Sequence, residues 1–212
     1  MTVLSFENSD RLFWLGRYSE RVYTGLRSFA EKFDSMTDSA AYESKSDFAK
    51  NFCFDEKNPS SIRSSLLKAY DNAIVLRDEI GTETFSYVQL ALYEMSKAEK
   101  SKAPMLNLQK VIDNIAAFWG MADDIIEDEQ VRGLIKLGKR IERVDLYARM
   151  KINGSDIKDI KREICRLIYR LTKTGIRYNA ENFEKLKTLA DGNEINASEI
   201  MTAVENLIEL NS

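Results

Sequence analysis

The residues best placed to do chemistry in this chain occur twice. Leu12, Leu15, Gly16, Glu20, Arg21 and Val22 are matched by Leu134, Leu137, Gly138, Glu142, Arg143 and Val144, and Arg17 is matched in charge by Lys139. Every pair is separated by the same 122 residues, and that register also superposes Arg27 on Arg149. A coincidence of this length reads as an internal duplication. Carboxylates beside guanidiniums can bind: the planar fork of arginine suits a carboxylate or a phosphate. Glu20, Arg21, Glu142, Arg143, Arg17 and Lys139 are therefore the candidate cluster, either a cleft for an anionic or peptide-like ligand or a set of structural ion pairs. Structural pairing is the commoner use of such dipeptides, so the expectation leans that way, and no residue is assigned a catalytic role.

Spacing constrains the partners. Adjacent residues of a helix point about 100° apart, so each glutamate and its neighbouring arginine must look to other helices. A pseudo-twofold arrangement would cross Glu20 with Arg143 and Glu142 with Arg21. Charge reversal at Glu20 rescued by reversal at Arg143 would support that crossing, and purely additive damage would sink it. Arg17 and Lys139, three residues before their own glutamates, compete for the same carboxylates. Gly16 and Gly138 fall in mid-helix, where glycine costs about 0.5–1 kcal/mol against alanine. Taken twice at equivalent places, that cost implies the close approach of another backbone or a ligand, and both are read as helix-packing positions.

Other chemistry is limited by what is missing. With no histidine in 212 residues, histidine-activated serine or cysteine nucleophiles are excluded, as are histidine-based zinc sites. The densest acidic run is Asp123, Asp124, Glu127, Asp128 and Glu129. Asp124 with Glu127 and Asp128 could share a helix face and hold Mg²⁺. The plainer reading is an acidic helix start before the second motif, so no metal and no cofactor is expected. Cys53 and Cys165 lack the spacing of a zinc site or a disulfide framework, and Cys165 falls on or beside an apolar stripe, as a small core residue would. Trp14, Trp119, Tyr18 and Phe118 read as core or interface.

The elements that must position these residues are helices. Only nine glycines and two prolines leave too few turn formers for a sheet-rich fold. Leu12, Leu15, Ser19, Val22, Leu26, Phe29, Phe33 and Met36 recur at spacings of three and four, predicting a motif helix near 10–36. A polar loop follows at about 35–50. Asn58 as cap and Pro59 at the first position predict a helix start there, with Ile62, Leu66, Ala69, Ala73 and Ile80 on the buried stripe. Gly81 is placed to end it, and Thr82 to cap a helix carrying Phe85, Val88, Leu92, Met95 and Ala98, closed by Pro104. Asn107 is read as the start of the next helix. The second motif helix is expected near 130–151, ended by Asn153 and Gly154, with Ser155 capping a helix through Ile157 to Leu171. Weaker helices are expected over about 180–212, around Phe183–Leu189 and behind Asn196. The fold class is an all-α multi-helix bundle with a pseudo-repeat, in one domain spanning 1–212.

Net charge is −3, with both signs interspersed, which disfavours nucleic acid as a partner. The longest apolar run, around Ile115–Ala122, falls far short of the ~20 residues of a membrane span, and no signal peptide is visible at the N-terminus. A cytoplasmic location is expected.

The motif residues carry a family resemblance. Leu12 through Arg21, the segment Asn58 to Ile62, and Leu137 through Arg143 together resemble the bacterial alpha-E domain family, an all-α family named for its Glu-Arg motif. The likeness covers about Leu4 to Met150. Tyr23 departs from the pattern where an acidic or polar residue often follows the first Glu-Arg, whereas Asp145 keeps it in the second copy. The chain is also shorter than typical members. The resemblance implies, by association, an ATP-grasp amide ligase or a transglutaminase-like peptidase as partner and a part in peptide modification. The leading expectation is thus a helical accessory or scaffold protein rather than an enzyme. The alternative is an enzyme or ligand binder using a Glu/Arg-lined interhelical cleft, with or without Mg²⁺, and a third reading is a homo-oligomer joined through an apolar seam.

Overall fold

A computed structural model describes residues 4–35, 48–150, 157–174, 176–192 and 196–208. Among these, the regular elements are helices: α1 (Phe6–Ser35), a π-helical turn (Lys50–Phe54), α2 (Ile62–Val75), α3 (Arg77–Ile80), α4 (Thr82–Lys100), α5 (Pro104–Ile125), α6 (Glu129–Met150), α7 (Ile157–Thr174), α8 (Ala180–Asp191) and α9 (Ala197–Glu205). A lone backbone bridge joins Tyr178 to Ile208. The fold is an all-α bundle with an internal pseudo-repeat.

The chain divides into two compact units, one from residues up to Arg17 together with those from Gly133 onward, the other from Tyr18 to Arg132. Helices α1 and α6, which carry the two motif copies, each contribute to both. In the first unit the core gathers Phe13, Leu137, Ile141 and Val144 with Ile164, Leu167 and Leu171 of α7 and Leu186, Ile200 and Ala203 of α8 and α9. Helix α7 is sharply two-faced, so its apolar stripe faces that core while its arginines stay outside. The second unit packs Val22, Leu26 and Phe29 of α1 against Leu66, Met95, Val111 and Ile115. Phe52 of the π-helical turn stacks on Phe29 at 5.8 Å between ring centroids, and Cys53 beside it is buried.

The buried stripes match the periodicity, but the ends of helices differ. Helix α2 begins at Ile62, with Ser61 as its cap accepting from the Ser64 backbone N–H at 3.1 Å. Asn58 is spent on a turn, its Oδ1 accepting from Ser60 N–H at 3.0 Å, so Pro59 is not the first helical residue. Gly81 does break the chain, at φ +81° and ψ 152°, backbone that only glycine adopts readily. Thr82 is then inside α4 rather than its cap. Pro104 opens α5, three residues before Asn107, because a first-turn proline forfeits no hydrogen bond. Behind residue 35 the expected polar loop lies in part outside the described residues, and at its far end the chain is already helical from Phe48. The expected stops at Asn153 and Gly154, the cap Ser155 and the seam residue Met36 also lie outside the described residues.

Candidate functional site: the duplicated Glu-Arg motif

The site is built on a backbone contact. A Cβ added at Gly16 would overlap the Ile135 carbonyl oxygen and come within 3.0 Å of the Lys139 backbone nitrogen. A Cβ at Gly138 would overlap the Phe13 carbonyl oxygen and come within 3.1 Å of the Arg17 nitrogen. Phe13 and Ile135 are equivalent positions of the repeat, as are Arg17 and Lys139. The two motif glycines therefore face each other's helix in a pseudo-twofold crossing, at a separation that admits no side chain. It is this neighbouring backbone that mid-helix glycine accommodates here.

The crossing brings a charge from each copy together. Arg17 Nε donates to Glu142 Oε2 at 2.8 Å, with the Glu142 side chain fully enclosed and the Arg17 side chain 13% exposed. The guanidinium also lies over the Trp14 ring, 4.8 Å from its centroid. Arg17 thus serves the glutamate of the other copy across the helix pair. A cavity of about 210 Å³ reaches it, bordered by Trp14, Ile141 and Glu205. Glu20 is fully buried as well, and its Oε1 accepts from the Thr24 hydroxyl at 2.7 Å.

The two motif arginines are half-buried. Arg21 lies over the Tyr18 ring at 5.6 Å, and Arg143 approaches the Glu163 carboxylate at 4.0 Å. The position after each Glu-Arg-Val triplet follows the same geometry with different chemistry. Asp145 binds Arg149 one turn on, with Arg149 Nε donating to Oδ1 at 3.0 Å, and this bond raises the Arg149 pKa above its ordinary value. At the equivalent place the Tyr23 ring lies under Arg27 at 5.8 Å, so an aromatic face replaces the carboxylate. Ser19, the polar member of the α1 seam, is fully buried and accepts from the Trp119 indole N–H at 3.1 Å. Trp119 and Phe118 therefore belong to the interior.

The acidic run is dispersed. Asp124 lies in the last turn of α5, whereas Asp128 is the last residue of a non-helical break over residues 126–128, so they do not share a helix face. Asp128 Oδ1 instead accepts from the backbone N–H groups of Gln130 and Val131 at 2.7 and 3.2 Å, capping α6. Among the described residues, no group of three or more Asp, Glu, Cys or His side chains could hold a metal ion.

Two residues depart from the helical pattern. Cys165 is exposed, because Ile164 beside it takes the core position and one residue further turns the side chain by about 100°. Glu163, a charged residue outside the expected stripe, is almost fully buried and gathers three arginines. Arg140 Nη1 donates to its Oε2 at 2.6 Å and Arg166 Nη1 to its Oε1 at 2.6 Å, with Arg143 beyond. A glutamate two residues from cysteine in a run of arginines gives no periodic signal; only its position one helical turn before Leu167, on the apolar side, hints at burial.

An all-α fold with a duplicated Gly crossing and both motif glutamates buried defines the class. The family model for Alpha-E, described as a predicted alpha-helical domain with a conserved ER motif, matches residues 8–163. The chain belongs to the Alpha-E family. No curated protein and no solved structure matches it.

Proposed function

We propose that this protein is a non-catalytic helical accessory or scaffold for an ATP-grasp amide or peptide ligase, acting in the bacterial cytoplasm. The observation that carries the reading is the enclosure of both motif glutamates, with Glu142 already committed to Arg17. A general acid or base must come within hydrogen-bond reach of its substrate, and a sealed carboxylate whose partner is a guanidinium of its own protein does not. The ligase as partner, with a transglutaminase-like peptidase beside it, rests on the family association alone. Among the described residues no helix is long and apolar enough to cross a membrane. A rival reading, ligand capture at the motif, is favoured by the 210 Å³ cavity that reaches Arg17.

The test is co-purification of the full chain with an ATP-grasp ligase from the same organism, alongside ATP-turnover and peptide-ligation assays of the chain alone. A stable complex, with no turnover by the chain alone, is the expected result. Turnover by the chain alone, abolished in a Glu142→Gln variant of unchanged helicity, would overturn the proposal.

A further inference from the structure

Helices α6 and α7 enclose an open groove of about 430 Å³ lined by Arg140, Arg162, Cys165, Arg166, Tyr169 and Arg170. Four guanidiniums on one small surface are unexpected in a protein whose net charge is −3. Arg162, Arg166 and Arg170 follow each other at i, i+4 and i+8 along α7, where like charges repel and destabilise the helix. Two carboxylates offset part of this. Asp159 takes Arg162 at 2.7 Å, and Glu163 takes Arg140 and Arg166. Among the described residues, the Arg170 side chain has no hydrogen-bond or ion-pair partner.

The arrangement is preorganised for an anion. The buried Glu163 holds two guanidiniums by one nitrogen each, leaving most of the five N–H donors of each fork for another acceptor. Fixing those side chains in advance removes much of the entropy cost that a flexible arginine meets on binding. Arg170, one turn beyond Arg166, adds an uncompensated charge at the end of the row. Four forks offer more donors than one carboxylate can accept, whereas a diphosphate presents oxygens on two centres. We infer that this arginine groove binds a multiply charged phosphoryl anion of the diphosphate class, a role separate from the motif and from the proposed ligase partnership.

The groove carries its own reporter. Cys165 lies within it and is exposed, whereas Cys53 is buried with its thiol pushed up to about 12. Alkylation of the full-length protein by neutral iodoacetamide should therefore modify Cys165, as read by peptide mass spectrometry. Inorganic pyrophosphate, added at constant ionic strength, should slow that reaction saturably. Arg170→Ala should weaken the protection about tenfold, the loss expected for one charge-assisted contact. Arg11→Ala, which removes an arginine paired with Glu7 on α1, should leave it unchanged. Absence of saturable protection, supported by absence of binding heat in calorimetry, would overturn the inference. So would equal protection in Arg170→Ala, or loss of protection in Arg11→Ala. Tricarballylate at the same charge should protect less well, and equal protection would overturn the phosphoryl assignment.

Discussion

At the scale of single residues, burial determines which groups are available for chemistry. Cys53 is the clearest case, since burial alone moves its thiol from the ordinary 9.0 to about 12. The sign follows from proton counting. Between those values the unfolded chain has lost a proton that the folded chain retains, so unfolding gains ground as pH rises. The contribution is fully present below the unfolded value and falls by about 1.4 kcal/mol per pH unit above it. Urea unfolding at about pH 8 and about pH 10 should show this loss, and Cys53→Ala should flatten the slope even if it lowers stability overall. An unchanged slope in Cys53→Ala would assign the alkaline loss to other groups. Arg17 and Glu142 illustrate a different limit on reading the sequence. Their residue types marked them as a charged cluster, but sequence adjacency gave Arg17 to its own glutamate. The partner is fixed by where two helices cross, which no local spacing encodes.

At the scale of elements, the glycine crossing is the feature most legible in advance. Two mid-helix glycines at equivalent places called for a close approach, and the backbones of α1 and α6 supply it at Ile135 and Phe13. Neither carbonyl can swing aside without breaking helical geometry. Gly16→Ala and Gly138→Ala should therefore each cost about 2 kcal/mol or more, despite alanine's better helix propensity. Equilibrium denaturation checks this, and a neutral or stabilising alanine would show that the helices part easily. Interior stripes were equally legible because period 3.6 is set by the helix itself. Helix starts were less so. Asn58, Ser61, Thr82 and Asn107 are all competent caps by type, and only Ser61 caps the helix that follows it, because tertiary contacts choose among neighbouring candidates. Cys165 and Glu163 were misplaced or missed for a related reason: on an amphipathic helix, one residue of rotation exchanges core for surface.

At the scale of the whole molecule, duplication explains why so much charge lies inside. A buried carboxylate is tolerable only when a partner of opposite charge is fixed nearby, and a repeated helix supplies that partner through the same motif. The second copy adds to this with Asp145 and Arg149, and α7 with Glu163 and its arginines, so the unit containing α7 combines an enclosed motif with an open basic groove. We propose that the Glu-Arg motif serves the interior of the protein. The most direct test of this is a double-mutant cycle at Arg17 and Glu142, using Arg17→Met, Glu142→Met and the pair together. Each single change removes one member of a largely buried ion pair and should cost about 3 kcal/mol of unfolding free energy. The double variant should recover most of that loss, giving a coupling of more than about 1 kcal/mol, and should retain any association with the proposed ligase partner that the parent shows. Three variants as stable as the parent, with association or a turnover activity lost, would contradict it.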